Sequence, residues 1–212
     1  MVKTAVVYVH GLFLNGAEFT LLRRRLASAY GFESHRFNYS TVNGSMAGTL
    51  AQLARFVERI DAERVHFVGH SLGGIVLNRY FERERCEREG RVVLLGSPLL
   101  GSSSARAVAR HAWLRRVIGP LVAEEFLEDC APRRWNCGRE LGLIAGTVPM
   151  GLGRFFARFD EECDGTVGVS ETRLPGHTAH LTLPVSHMGM LASALVSRQV
   201  GEFLAQGRFQ TM

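Results

Sequence analysis

Short runs of β-branched and other apolar residues alternate along the chain with stretches whose apolar positions recur at helical spacing. "TAVVYV" (4–9), "FESHRFNY" (32–39), "RVHFVG" (64–69), "RVVLLGS" (91–97), "LGLIAG" (141–146) and "AHLTLP" (179–184) read as strands. Between the first two, residues 16–31 place Phe19, Leu22, Leu26 and Tyr30 on one helical face. Asn15 with Glu18 three residues on has the spacing of a capping box, and Gly31 suits the helix end. Residues 47–60, 72–85 and 188–206 carry the same helical period. Strand–helix–strand repetition predicts an α/β fold in which a mostly parallel sheet of about six strands is covered by helices on both faces. Ligand sites in such sheets form outside the carboxyl ends of the strands, so residues that directly follow a strand share one edge.

With 212 residues and 46% apolar composition, the chain fits one domain, 1–212, around a single core. The apolar run in "MVKTAVVYVHG" is shorter than the roughly 7–15 residues of a signal-peptide core and ends in His-Gly, so it reads as a buried first strand. The expected location is therefore the cytoplasm. No apolar run approaches the roughly 20 residues of a membrane span. None of the four cysteines (Cys86, Cys130, Cys137, Cys163) forms a C-x-x-C pair, which argues against a zinc or thioredoxin-like site. Cys130 and Cys137 could bridge a loop in an exported chain, but a reducing cytoplasm favours free thiols. The net charge of +5 comes from arginines spread along the chain and interleaved with acids in "FERERCEREGR". That is the pattern of solvated helix faces, not of a nucleic-acid stripe, and no nucleic-acid partner is expected.

Candidate chemistry centres on "FVGHSLGG" (67–74), where G-x-S-x-G lies between a strand and a helical pattern. A serine on so sharp a turn needs neighbours without side chains, which Gly69 and Gly73 supply, and it sits beside the free N–H groups of a helix start. The bland alternative is a serine in a tight turn. A nucleophilic serine needs a base, and the base needs an orienter. In this strand–serine–helix context the chain order is Ser, then Asp or Glu, then His. Of the late histidines, His180 lies inside the last strand and His177 at the wrong edge of the sheet. His187, in "LPVSHMGML", directly follows the strand. Asp164, before Gly165 in a turn, is the first choice for the acid, and Asp160 the second, with Glu161 and Glu162 reading as a solvated run. Backbone N–H groups of Leu12, in the loop after the first strand, and Leu72, after the serine, are the candidate oxyanion donors.

Taken together, "VVYVHG", "GHSLGG", "LLGSPLLGS", "DGTV" and "SHMGML" resemble a small α/β-hydrolase of the lipase/esterase type, over residues 4 to about 206. The resemblance implies Ser71, Asp164 and His187 as a catalytic triad and Leu12 and Leu72 as oxyanion donors. It also implies a minimal form of the fold, lacking the first two strands and any large cap, similar to minimal lipases and small bacterial serine esterases. The implied reaction is cleavage of carboxylic esters through an acyl-enzyme, with a small-molecule or lipid ester as substrate and no metal or organic cofactor. An interfacial triacylglycerol lipase, and an acyltransferase or thioesterase using the same triad, are the alternatives. A non-catalytic binding protein on the same fold is more remote, because its mark is a broken triad.

Residues 98–139 are long for a connection, which marks them as a small lid or pocket-wall insertion. Within them, "SARAVARHAWLRRVIG" is basic and amphipathic and could lie on a lipid surface, although the fold requires an ordinary covering helix at that place. Phe13, Leu99, Leu100, Trp113, Phe155 and Phe156 are the candidate pocket residues. An apolar trough of this kind favours acyl chains of about four to eight carbons, since each buried methylene adds roughly 0.8 kcal/mol until the trough ends.

Overall fold

The computed structural model describes residues 2–83, 87–103, 119, 121–125, 133–150 and 159–211. Six strands, β1 (Thr4–Val9), β2 (Glu33–Phe37), β3 (Arg64–His70), β4 (Val92–Leu95), β5 (Leu141–Gly146) and β6 (Ala179–Leu183), form one sheet in the order β2-β1-β3-β4-β5-β6. Every neighbouring pair is parallel. The central strands are apolar on both faces because both faces are covered. The two edge strands, "ESHRF" and "AHLTL", carry charged and polar residues and are only partly buried, which discourages pairing with another chain.

Helices α1 (Thr20–Tyr30) and α5 (Ala194–Gln206) cover one face, and α2 (Met46–Glu58) and α3 (Leu72–Arg83) the other; a short α4 (Gly189–Ala192) precedes α5. Alternation along the strands feeds two cores. Ala5, Val7, Val65 and Phe67 join Leu50, Leu53, Ile75 and Leu77. Val6, Tyr8, Val68 and Leu95 join Leu22, Leu26, Val200 and Phe203. From β1 the chain moves outward to β2 and then returns to the other side of β1 as β3. The loops after β1 and β3 therefore part at a topological switch point, the place where sheets of this kind build their sites.

Three local expectations change. Asn15 does not cap a helix: its side chain accepts the Ala17 N–H in a tight turn, and Gly16, at φ 86°, opens a 3₁₀ turn that leads into α1. The final helix is broken at Ser193, whose extended backbone interrupts it and whose hydroxyl accepts the Val196 N–H to start α5. The second strand stops at Phe37, because the next two residues turn to the loop after β1. There the Tyr39 N–H meets His10 Nε2 at 3.3 Å and the Tyr39 hydroxyl donates to the His10 carbonyl at 2.9 Å. Cys137 and Cys163 are free thiols, while Cys86 and Cys130 lie outside the described residues.

Candidate active site

Ser71 joins β3 to α3 with φ at 54°, a left-handed conformation that costs a residue bearing a Cβ roughly 1–2 kcal/mol. Such strain persists only where surrounding contacts fix it. Here the Ser71 N–H donates to the Leu95 carbonyl at 2.9 Å, and its own carbonyl accepts the Gly74 N–H at 3.0 Å. The helix that follows runs against the end of β1. A Cβ on Gly73 would overlap the Val9 carbonyl oxygen, so only glycine allows this approach. Among the described residues the Ser71 hydroxyl makes no hydrogen bond, which leaves it available at the carboxyl edge.

His187 and Asp164 meet at the same edge. The imidazole Nδ1 lies 2.7 Å from Asp164 Oδ2, with the carboxylate 1% and the histidine 7% exposed. A carboxylate only accepts, so Nδ1 carries the proton and Nε2 is left as the basic nitrogen. The other carboxylate oxygen accepts the N–H groups of Thr166 at 2.9 Å and Val167 at 2.8 Å, which locks the acid in its turn. The His187 N–H also donates to the Asp164 carbonyl at 3.0 Å. Gly96, which ends β4 at φ 52°, makes room for the pair: a Cβ there would lie 2.9 Å from Asp164 Oδ2 and 3.1 Å from His187 Nδ1.

Asp160, the second candidate acid, is exposed and has no partner among the described residues. His177 bonds the Leu174 carbonyl before β6, and His180 meets the Thr172 hydroxyl at 2.8 Å, so both are occupied away from this pair. The loop after β1 is pinned to the loop after β2, because the Phe13 N–H donates to Thr41 Oγ1 at 3.2 Å. Neither the Leu12 N–H nor the Leu72 N–H donates to a protein acceptor among the described residues. Leu72 opens α3, where the first N–H groups have no acceptor within the helix.

The candidate pocket residues separate. Leu99 is buried in the core cluster that holds α3 residues, and its carbonyl accepts a 3.0 Å bond from Arg133. Phe13 and Leu100 are exposed, and Trp113, Phe155 and Phe156 lie outside the described residues. Two cavities, of about 300 Å³ beside Asn78 and Trp135 and about 330 Å³ beside Arg64 and Glu89, lie away from Ser71. Among the described residues no helix is long and apolar enough to cross a membrane.

One side chain at the site escaped sequence reasoning. His70, immediately before the serine, is fully buried, and its Nε2 lies 3.1 Å from the His187 carbonyl oxygen. Its ring centroid is 4.6 Å from that of His187. Burial, reinforced by the neighbouring His187, holds its pKa well below the ordinary histidine value, so the ring is neutral. The only signal for it in the sequence is its place beside the serine.

A family model described as the alpha/beta hydrolase family matches residues 6–199. Among solved structures, the chain is similar to the mature lipase BlEst2 of Bacillus licheniformis, with 20% identity, a TM-score of 0.71, and coverage of 95% of this chain and 91% of that one. It is also similar to phospholipase PlaB of Legionella pneumophila, with 14% identity, a TM-score of 0.64, and coverage of 93% and 56%. For the RedJ thioesterase of Streptomyces coelicolor the values are 16% identity, a TM-score of 0.62, and coverage of 96% and 86%. No curated protein matches the chain. At these identities the structural likeness speaks for the fold alone.

Proposed function

Given that the chain belongs to the alpha/beta hydrolase family, we propose that it is a serine hydrolase that cleaves carboxylic esters through an acyl-enzyme. The observation that carries this reading is the buried 2.7 Å His187–Asp164 bond, placed on the same sheet edge as a serine held at φ 54°. His187 Nε2 removes the Ser71 hydroxyl proton as Oγ attacks the ester carbonyl. The oxyanion that forms accepts hydrogen bonds from the Leu12 and Leu72 N–H groups. On collapse, the carbonyl–alkoxy bond breaks and His187 returns the proton to the departing alcohol. Water, deprotonated by His187, then attacks the acyl-Ser71, and the acid leaves as the proton passes back to Ser71. Asp164 remains ionised throughout and holds the Nδ1–H tautomer. Most of residues 98–139, the segment expected to form a lid or pocket wall, lies outside the described residues; a thioester would pass through the same steps.

A second reading is favoured by a specific observation. Four of the exposed large apolar side chains follow four different strands at their carboxyl ends: Phe13 (59% exposed), Leu100 (51%), Met150 (66%) and Met188 (49%). Apolar groups left in water around a reaction centre suit an enzyme that works on a lipid aggregate. The deciding experiment uses a fluorophosphonate probe with a series of chromogenic esters. Labelling at Ser71 alone, with turnover abolished in Ser71→Ala, supports the hydrolase. Smooth saturation below the solubility limit of the ester, highest at about four to eight acyl carbons, supports the esterase reading. A jump in rate when micelles form supports the interfacial one.

A further inference from the structure

We propose that His70 is the positioning residue for His187: its Nε2–H clamps the His187 main-chain carbonyl and so fixes the distance between base and nucleophile. The inference rests on the triad reading above and adds a fourth side chain to it. Three polar groups of His187 are engaged. Its N–H bonds the Asp164 carbonyl at 3.0 Å, its Nδ1–H bonds Asp164 Oδ2 at 2.7 Å, and its carbonyl meets His70 Nε2 at 3.1 Å. The first two tie the base to the acid. The third alone ties it to the strand that carries the serine, and it does so from the residue adjacent to Ser71. Because Ser71 Oγ and His187 share no hydrogen bond in the structure, nothing in their own side chains holds them in register. Register matters steeply here, since a misplacement of about 1 Å can cost 10²-fold in rate.

The chemistry of the clamp is determined by its partner. A carbonyl oxygen only accepts, so His70 must carry its proton on Nε2. Nδ1 is then a bare acceptor, and it is buried without a hydrogen-bond partner among the described residues. A buried acceptor without a hydrogen-bond partner is costly. A purely structural residue at this place would do better as an apolar one, and what a histidine adds is the Nε2–H donor. The ring also packs at 4.6 Å against the imidazole that becomes cationic during turnover, and edge-on against Phe19 at 6.4 Å. A neutral ring at this position adds no charge to oppose that cation.

Four measurements test the proposal. In the wild-type protein, ¹⁵N NMR should report His70 as the Nε2–H tautomer; an Nδ1–H tautomer would overturn the clamp, whatever any variant does. His70→Leu should lower kcat by about 10–100-fold with KM within threefold, and should broaden or lose the low-field proton of the His187–Asp164 bond. His70→Gln, whose amide places an N–H at similar reach, should recover kcat to within about fivefold and restore that proton. If His70→Leu fails to fold, the tautomer and the Gln variant decide. A His70→Leu protein with wild-type kcat and an intact low-field proton refutes the inference, as does a His70→Gln protein no better than the leucine variant. Wild-type protein that hydrolyses no ester and takes no fluorophosphonate would instead remove the triad reading, an outcome separate from the tautomer and the low-field proton, which need no substrate.

Discussion

Replacing Asp164 by asparagine separates the orienting role proposed for this carboxylate from its role in the fold. Asp164 Oδ1 accepts two backbone N–H groups, from Thr166 and Val167, while Oδ2 faces His187 Nδ1. Asparagine can keep one of these arrangements and not both. If its oxygen stays with the two N–H groups, its NH₂ points at His187 Nδ1. It then donates to that nitrogen, and the imidazole proton moves to Nε2, where it blocks acceptance of the serine proton. If the amide flips, the buried Val167 N–H and the part-buried Thr166 N–H face an NH₂ group, and the buried one alone costs about 1–3 kcal/mol. The first arrangement therefore dominates, by at least about 1 kcal/mol. Holding a triad histidine in the wrong tautomer lowers kcat by about 10⁴-fold, or about 5 kcal/mol of barrier. The turn keeps its acceptor, so the fold should survive. The assay is initial-rate hydrolysis of a chromogenic ester, with thermal unfolding as the control. Asp160→Asn, at an exposed residue without a partner among the described residues, should stay within twofold of wild type. An Asp164→Asn enzyme that keeps more than a tenth of wild-type kcat, or an Asp160→Asn enzyme that loses more than that, would refute the assignment.

Ser71→Gly should abolish turnover while leaving stability unchanged or up to about 1 kcal/mol higher, because relief of the strained φ is partly offset by the added freedom of the unfolded chain; urea unfolding measures it, and a loss above 2 kcal/mol would contradict the strain argument. Gly73→Ala should destabilise the protein by about 1–3 kcal/mol and depress activity, since the new methyl overlaps the Val9 carbonyl in the turn that shapes the site; wild-type stability in urea unfolding would contradict that. His66 is held neutral, at a pKa of about 3, by burial and then by Arg91, Arg64 and Arg139. Between about pH 6.5 and 3 the unfolded chain binds a proton that the folded chain excludes, so stability falls as pH falls, by up to about 1.4 kcal/mol per unit. His66→Gln, which can still accept the Arg91 N–H, should flatten urea-unfolding stability between pH 6 and 4 by that slope; an unchanged slope would show that His66 titrates normally.

The elements were legible in the sequence because their signals are local. Buried parallel strands announce themselves as apolar runs, and a serine between a strand and a helix, flanked by glycines, fits few other backbones. Edge position then stood in for three-dimensional distance, and for His187 and Asp164 the structure closes a hydrogen bond that this rule could only place on one edge. The shortfalls have physical causes. The break at Ser193 arises because a serine can take an extended backbone and cap the next turn, and helical periodicity runs through it unchanged. Leu99, in the loop after β4, is buried in the core cluster that holds α3 residues, and that burial is decided by packing and not by sequence position.

His70 shows where the edge rule stops working. The rule sorts residues by where the backbone leaves the sheet, and so it finds groups that act from loops. His70 is the last residue of β3, and its side chain points into the core shared by α1 and α5, where Phe19 lies against it. By sequence it is one more buried position. Yet the same alternation that sends Gly69 toward α3 sends His70 beneath the loop after β6, and from below it reaches a main-chain oxygen of the base. The site is therefore held from two directions: from the side by the turn at Asp164 and from underneath by the strand that carries the serine. In the proposed mechanism the serine and the histidine sit on separate segments, and β3, the strand that pairs with both β1 and β4, carries Ser71 and through His70 meets the His187 carbonyl.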